Sequence, residues 1–271
     1  MSFHTTLIAL SLTLFASLAA PSTASFAAGD DAKKARVNYF FPTENVMKDV
    51  DETLAKAKAN NKLAVFILGA DWCHDSQALI ERFDNPAMEK TLADNYEVTL
   101  IDVAFFDHGK DVVERFGMPT IFATPTVMII DPVSEKLVND HNMHQFKDAF
   151  LMTMEQTITY FDTMHSVDMQ SQPITSGGNA ALGKLLNEIN AFEASQAIRI
   201  EIGFQQMVPY LKMDKDQRPK KFKALWMELR PLRYGITDAM AALRKDALER
   251  TAAGEKNITL SYPEYKAFSW E

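Results

Sequence analysis

The spacing of hydrophobic and polar residues along the first half of the chain predicts alternating helices and strands. Apolar residues recur at intervals of four and three over residues 46–57, which predicts an amphipathic helix with Thr43 as its cap. Residues 63–68 form a continuous apolar run of strand length, as expected of a strand that is covered on both faces. A helical pattern then begins at Cys73 and ends before Pro86.

The same alternation continues to residue 161. The pattern predicts strands at 98–103, 124–131 and 136–138, and helices around 88–92, at 112–116 and at 145–161. Strands separated by helices of this length imply βαβ units with right-handed crossovers, whereas the short strand at 136–138 implies a hairpin. The predicted fold class is therefore α/β, with a mixed sheet flanked by helices.

The second part of the chain has a different pattern. Between Asp168 and Asn179 the sequence turns to Ser, Gln, Pro, Gly and Asn, which indicates a domain boundary. From residue 182 onward apolar residues recur only at helical spacing, which predicts a C-terminal all-helical extension, either a hairpin or a small bundle. We expect interruptions of these helices at Pro209, Pro219 and Pro231. We also expect the aromatic tail to pack back on a domain through Tyr262, Tyr265, Phe268 and Trp270.

The N-terminus predicts export. The apolar run at 5–20 is followed by a small-residue segment with cleavage sites after Ala24 or Ala27, as in a secretory signal peptide, although no Lys or Arg precedes the run. The expected location is periplasmic or secreted, and we expect no stable membrane span after cleavage. The predicted organisation is a signal peptide at 1–28, an α/β domain at 37–165 and a helical domain at 178–271.

Composition and charge narrow the classes of partner. The 271 residues carry 28 Lys and Arg against 36 Asp and Glu, and this net charge of -8 repels phosphate backbones, so we expect no nucleic acid partner. Cys73 is the one cysteine, so it cannot form a disulfide within the chain. The oligomeric state is not predicted by any of these features.

Two short motifs carry the candidate chemistry. Residues 64–76 read AVFILGADWCHDS and resemble the first strand and active-site turn of the thioredoxin superfamily, where Trp-Cys-x-x-Cys opens a helix. The Thr-Pro-Thr sequence at 124–126 resembles the cis-proline loop of the same superfamily. The resemblance covers residues 37–161. It implies a thioredoxin-like domain at 37–165 in which Cys73 is the attacking thiol.

The resemblance also implies which residues contact a substrate. Trp72 and His74 flank the cysteine, while Thr124 and Pro125 offer an extended backbone edge. In the superfamily that edge pairs with the substrate chain around the target disulfide, by addition of a β-strand. The expected partners are therefore protein or low-molecular-weight thiols and disulfides. No cofactor and no metal-binding residue is implied by the resemblance.

The physical chemistry of the predicted helix start supports a reactive thiol. A thiol at the first turn of a helix faces unpaired backbone N–H groups and the positive end of the helix dipole, and both favour the thiolate, which is the attacking species. A protonated His74 would add to this effect, whereas Asp71 and Asp75 would oppose it. The net balance is left open by the sequence.

Two positions depart from the superfamily pattern. Ser76 stands where the resolving cysteine is found, and Ile67 stands where the superfamily has a buried carboxylate that helps deprotonate that cysteine. The chain therefore resembles monothiol members with Cys-x-x-Ser. We expect Cys73 to form a mixed disulfide that persists until another thiol releases it, and Ser76 to donate a hydrogen bond to the thiolate. The predicted function is thiol-disulfide exchange through a single cysteine, of a reductase or isomerase type.

Two other functions fit parts of the sequence. With a vestigial cysteine, the domain would be a non-catalytic protein-binding module that uses the groove around Trp72 and Pro125 together with the helical extension. A periplasmic copper carrier is the other alternative, because thioether and imidazole groups are soft ligands suited to Cu(I). Its candidate ligands are His141, Met143, His144, Met152, Met154, Met164, His165 and Met169.

Overall fold

The computed structural model describes residues 37–140, 142–166 and 176–271, and Asn38–Glu271 form one compact unit. The predicted signal peptide at 1–28 and most of the predicted boundary segment lie outside the described residues. The domain limits at 37–165 and 178–271 therefore stay predictions. Among the described residues, no helix combines the length and the apolar character needed to cross a membrane.

A four-stranded mixed sheet forms the centre of the first part of the chain. Its strands are β1 (Leu63–Gly69), β2 (Tyr96–Asp102), β3 (Thr126–Asp131) and β4 (Lys136–Leu137), and their order across the sheet is β2-β1-β3-β4. β1 and β2 are parallel, whereas β3 runs antiparallel to both β1 and β4. The predicted mixed sheet with a late hairpin is confirmed.

Helices flank this sheet, and two of their details differ from the prediction. They are α1 (Val46–Ala59), α2 (His74–Glu81), α3 (Pro86–Asn95), α4 (Lys110–Arg115) and α5 (Met154–Ser166). The cap of α1 is Asn45, whose side chain accepts the Lys48 N–H at 3.0 Å, while Thr43 accepts the Asn45 N–H instead. The helix predicted at 145–161 is divided, because Met152 is extended between a 3₁₀ helix (Gln145–Leu151) and α5.

Each face of the sheet packs on its own hydrophobic core, because side chains along β1 alternate between the two faces. Val65 and Ile67 lie in the core that also holds residues of α2, α3 and α5, whereas Phe66 and Leu68 lie in the core with α1 and α4. All four side chains have 0% exposure. The apolar run therefore forms a strand that is covered on both faces, as predicted.

The second part of the chain is a hairpin of two long helices, α6 (Ala180–Leu211) and α7 (Lys220–Ala252). The predicted all-helical extension is confirmed, but α7 continues through Pro231, where we expected an interruption. Leu229 and Leu232 beside this proline are buried, and their packing outweighs the one backbone hydrogen bond that a proline removes. Pro209 lies in the last turn of α6 and Pro219 caps α7, so both stand near helix ends.

The hairpin packs on the same core as Phe66. Phe106, which follows β2, stacks on Phe204 of α6 with the ring centroids 3.7 Å apart. The aromatic tail packs back on α6, as predicted, with the Arg199 guanidinium 4.7 Å from the centroid of the Phe268 ring. The helical extension is therefore continuous with the core on one face of the sheet.

Candidate active site

Cys73 lies in the turn between β1 and α2. Its N–H donates to the Ala70 carbonyl at 3.0 Å, and its own carbonyl accepts the Gln77 N–H at 3.2 Å. Cys73 is the N-cap of α2, with an extended backbone conformation. The thiol is therefore held at the start of a helix, where unpaired backbone N–H groups and the helix dipole favour negative charge.

The thiol is also in contact with the proline loop. Sγ of Cys73 donates a hydrogen bond to the Thr124 carbonyl oxygen at 3.4 Å, and the peptide bond between Thr124 and Pro125 is cis. β3 begins at the next residue and pairs with β1, which ends just before the turn that holds Cys73. The pairing of these two strands thus brings the two sequence motifs together at one end of the sheet.

A cavity of about 240 Å³ lies beside the thiol. Trp72, Cys73, His74 and Thr124 line it from one side, and residues of α7 line it from the other. Cys73 is only 8% exposed, and it is one of the residues that line this cavity. Four of the six predicted site residues therefore share one cavity. Pro125 adjoins it through Thr124, and Ser76 is not part of its lining.

Trp72 joins the active-site turn to the hairpin. Its indole Nε1 donates to the Ala104 carbonyl at 2.5 Å, which fixes the ring orientation. The ring packs at 5.3 Å from the Phe106 ring and edge-on at 6.5 Å from the Trp226 ring of α7, measured between centroids. Trp72 therefore forms a wall of the cavity as well as a packing contact.

His74 and Asp75 form a pair at the rim of the cavity. The His74 side chain is 65% exposed, and its Nε2 lies 3.3 Å from Oδ2 of the buried Asp75. The other oxygen of Asp75 accepts the Phe150 N–H at 3.0 Å. Burial raises the pKa of Asp75, while the Phe150 N–H and His74 act in the opposite direction. The carboxyl group is thus engaged by the His74 ring and by the Phe150 N–H.

The hydrogen bond expected from Ser76 to the sulfur is absent. The Ser76 side chain has 0% exposure, and its Oγ has no hydrogen-bond partner among the described residues. Oγ points toward the end of β1 and lies 2.8 Å from the position that a Cβ on Gly69 would occupy. The expectation that Ser76 hydrogen-bonds the thiol was wrong in this respect, because its hydroxyl is turned to the strand. A catalytic role for Ser76 stays a prediction.

Arg233 of α7 is a site residue that sequence reasoning missed. The residue is 5% exposed, it lines the cavity beside Cys73, and burial lowers the pKa of its guanidinium. Nε donates to the Phe122 carbonyl at 3.4 Å, and the guanidinium lies 4.3 Å from the centroid of the Trp226 ring. Within the described part of the chain, no carboxylate forms an ion pair with it. The hairpin therefore places a buried positive charge next to the candidate nucleophile.

The sequence did contain a signal for Arg233. Leu229, Leu232 and Ile236 mark the apolar face of the predicted helix, and a residue at position 233 falls on that same face. A charged residue on the apolar face of an amphipathic helix is expected to have a buried partner or a ligand. Which site it would reach depended on how the hairpin packs, and the sequence pattern does not give that.

The described candidate copper ligands are distributed over the two cores and the surface. Met143 lies in the core shared with the hairpin, whereas Met164 lies in the core on the other face of the sheet. The ring of His144 is buried, and the side chain of His165 is on the surface. Met152 and Met154 are partly buried. His141 and Met169 are outside the described residues. Across the described ranges, no group of three or more His, Cys, Asp or Glu side chains is arranged to hold a metal ion.

Comparisons with known proteins place the first part of the chain. Residues 45–132, about a third of the chain, match a family model described as thioredoxin-like. Among solved structures, a disulphide isomerase from Xylella fastidiosa Temecula1 is 23% identical, with a TM-score of 0.43. That match covers 46% of this chain and 97% of the isomerase chain. No curated protein matches the chain.

Proposed function

We propose that this chain carries out thiol-disulfide exchange through Cys73 alone. The observation that carries the proposal is the placement of Sγ at the start of α2, 3.4 Å from the Thr124 carbonyl and on the wall of a cavity. A helix start favours the thiolate, and the cavity gives a substrate sulfur a route to it. An inert structural cysteine needs neither feature.

The proposed reaction is one exchange step followed by release. The Cys73 thiolate attacks one sulfur of a substrate disulfide, so that a new S–S bond forms while the substrate bond breaks. The leaving sulfur departs as a thiolate and takes a proton from water. Ser76 has no sulfur, so a second thiol from outside the chain must attack the mixed disulfide and regenerate Cys73. No further oxidant or reductant is required.

Two charged side chains are proposed to set the reactivity of the thiol. The buried guanidinium of Arg233 stabilises negative charge at the cavity and therefore favours the thiolate. Asp75 acts in the opposite sense, but its carboxyl accepts the Phe150 N–H and faces His74. We expect the effect of Arg233 to be the larger, because its guanidinium has no carboxylate partner among the described residues.

The compartment is part of the proposal. The apolar run at 5–20 and the small residues after it support export to an oxidising compartment. Small thiols and proteins with disulfides are available there as partners. A protein that captures thiol compounds as mixed disulfides, and leaves their release to another thiol, fits such a compartment.

Alkylation of the purified full chain with iodoacetamide tests the proposal. Intact-protein mass spectrometry should show one adduct under native conditions, formed at pH 7 faster than the adduct of the free model thiol N-acetylcysteinamide. Modification of Cys73 only after addition of urea would contradict the proposal. Capture of partners from an extract adds a second test, because Cys73→Ser should lose the covalently trapped partners. Retention of the full set of partners by this variant would favour the non-catalytic binding module.

A further inference from the structure

The buried guanidinium of Arg233 forms no ion pair with a carboxylate among the described residues. Buried arginines are normally paired with carboxylates, because an unpaired charge in the interior costs several kcal/mol. The Arg233 guanidinium makes one hydrogen bond to the described residues, from Nε to the Phe122 carbonyl, and its terminal N–H groups have no acceptor there. Arg233 also lines the cavity that Cys73 borders. The guanidinium, whose terminal N–H groups have no acceptor among the described residues, thus borders the cavity through which a substrate sulfur would reach Cys73.

The rest of the cavity has the same charge. Lys147, Lys215 and Arg218 line it together with Arg233, and among the described residues Asp75 is its one acidic lining residue. Lys147 donates to the Tyr234 carbonyl at 3.0 Å, and the Arg218 guanidinium donates to the Tyr210 and Leu211 carbonyls. Lys147 also lies 3.6 Å from the carboxylate of the exposed Asp238. Basic residues therefore outnumber acidic ones in the described lining of the cavity, in contrast to the net charge of -8 on the whole chain.

We propose that the cavity binds the carboxylate of a small thiol compound, with Arg233 as its counter-charge, while the sulfur of that compound is joined to Cys73. This inference rests on the proposed function and names its substrate class. A volume of about 240 Å³ admits a small molecule or a short side chain but no folded segment. Trp72 and Trp226 provide apolar walls for the carbon chain that links sulfur and carboxylate.

The chemistry is the exchange already described, with a charged substrate. Cys73 thiolate attacks the disulfide of two small carboxylate-bearing thiols, one half becomes joined to Sγ, and the other half leaves as its thiolate and is protonated by water. The retained half places its carboxylate against Arg233. A guanidinium donates two parallel N–H groups to a carboxylate, which suits this contact.

Three symmetrical disulfides that differ mainly in charge test the proposal. They are 3,3′-dithiodipropionate with two carboxylates, 2-hydroxyethyl disulfide without charge, and cystamine with two ammonium groups. The rate of mixed-disulfide formation with the full chain is measured by intact-protein mass spectrometry at pH 7 and low salt. Each rate is divided by the rate for N-acetylcysteinamide, which removes intrinsic differences among the disulfides. We expect the order dithiodipropionate, hydroxyethyl disulfide, cystamine, with about tenfold or more between the first and the last, the size of one charge-assisted contact.

Substitution of Arg233 shows whether this residue sets the order. Arg233→Met approximates the apolar stem of the side chain and removes the charge, so the normalised rates should converge. Arg230→Met, an exposed arginine on the same helix, is the matched control and should keep the order. If Arg233→Met does not fold, as judged by circular dichroism, the wild-type ratio is measured in 0.5 M NaCl instead, where screening should reduce it.

The failures of the two proposals are distinguishable. Equal normalised rates for the three disulfides, or a preference for cystamine, would overturn the carboxylate site and leave the exchange function standing. The same holds for an unchanged order in Arg233→Met. Absence of an adduct with all three disulfides, together with absence of alkylation under native conditions, would overturn the exchange function itself.

Discussion

The active-site turn and the helical hairpin meet at one cavity, but they differ in how they contribute to it. The turn supplies Trp72, Cys73 and His74 from consecutive positions, and these positions follow from local rules for a strand that leads into a helix. The hairpin supplies Trp226 and Arg233, which reach the cavity only because two long helices pack on the sheet core. The comparison teaches that the nucleophile is set by local structure, whereas its electrostatic environment is set by tertiary packing.

The first prediction tests how closely the two helices of the hairpin pack against each other. Gly203→Ala should lower the free energy of unfolding by about 1–3 kcal/mol relative to Gly235→Ala, because the new Cβ would lie 2.3 Å from the buried Leu229 side chain. At Gly235 the added methyl meets only the Tyr265 side chain, with the hydroxyl at 3.4 Å, so the two variants share the gain in helix propensity and differ in packing. Urea denaturation measures both. Equal stability of the two variants would mean that the helices do not approach this closely.

The charge from the hairpin gives the second prediction. Arg233→Met should lower the rate of Cys73 alkylation by iodoacetamide at pH 7 by about tenfold, since loss of about 1.4 kcal/mol of thiolate stabilisation corresponds to this factor. Iodoacetamide is neutral, so the experiment reports on the thiolate and not on substrate charge. Arg230→Met serves as the control on the same helix. A rate within twofold of the wild type would remove Arg233 from the account of reactivity.

The buried His144 gives a pH-dependent prediction. Burial, with a smaller contribution from Lys147, lowers its pKa from 6.5 to about 3. The unfolded chain therefore binds a proton that the folded chain rejects, so His144 costs nothing above pH 6.5 and lowers stability as the pH falls from 6.5 toward 3. The slope due to this one proton is at most about 1.4 kcal/mol per pH unit. Urea midpoints between pH 7 and pH 4 should fall less steeply in His144→Gln. The exposed His165→Gln is the control, and an unchanged slope in His144→Gln would contradict the prediction.

The next prediction concerns Asp75, in the first turn of the helix that follows the active-site turn. Asp75→Asn keeps an acceptor for the Phe150 N–H but removes a negative charge near the sulfur. The rate of iodoacetamide alkylation at pH 7 should rise about two- to threefold, opposite in sign to the effect of Arg233→Met. A fall in rate would indicate that Asp75 supports the thiol through His74 and does not oppose it.

The smallest effect is expected at Ser76. Ser76→Ala should leave the alkylation rate unchanged within twofold, because the hydroxyl makes no hydrogen bond to the sulfur. Stability should be unchanged or slightly higher, since a buried hydroxyl without a partner gains nothing from burial. The same alkylation assay, with urea denaturation, checks both points. A tenfold fall in the alkylation rate would show that Ser76 does hydrogen-bond the sulfur, as the sequence led us to expect.

Much of the first part of the chain was predictable, and the reason is local. The apolar run of β1 and the helix start at Cys73 depend on residues within a few positions, so pattern rules found them. The orientation of Ser76 Oγ toward Gly69 depends on the packing of α2 on β1, which the spacing of hydrophobic residues does not predict. The continuity of α7 through Pro231 likewise depends on buried neighbours that outweigh a local rule. Arg233 was visible as a charge on an apolar face, but its target was not.

The central claim is that Cys73 exchanges with disulfides in the folded protein. The most direct measurement is the mass of the native chain after incubation with 2-hydroxyethyl disulfide, followed by treatment with dithiothreitol. The account predicts one adduct of a single hydroxyethylthio group on Cys73 and its complete removal by dithiothreitol. An adduct that forms only when the chain is unfolded in urea would contradict it.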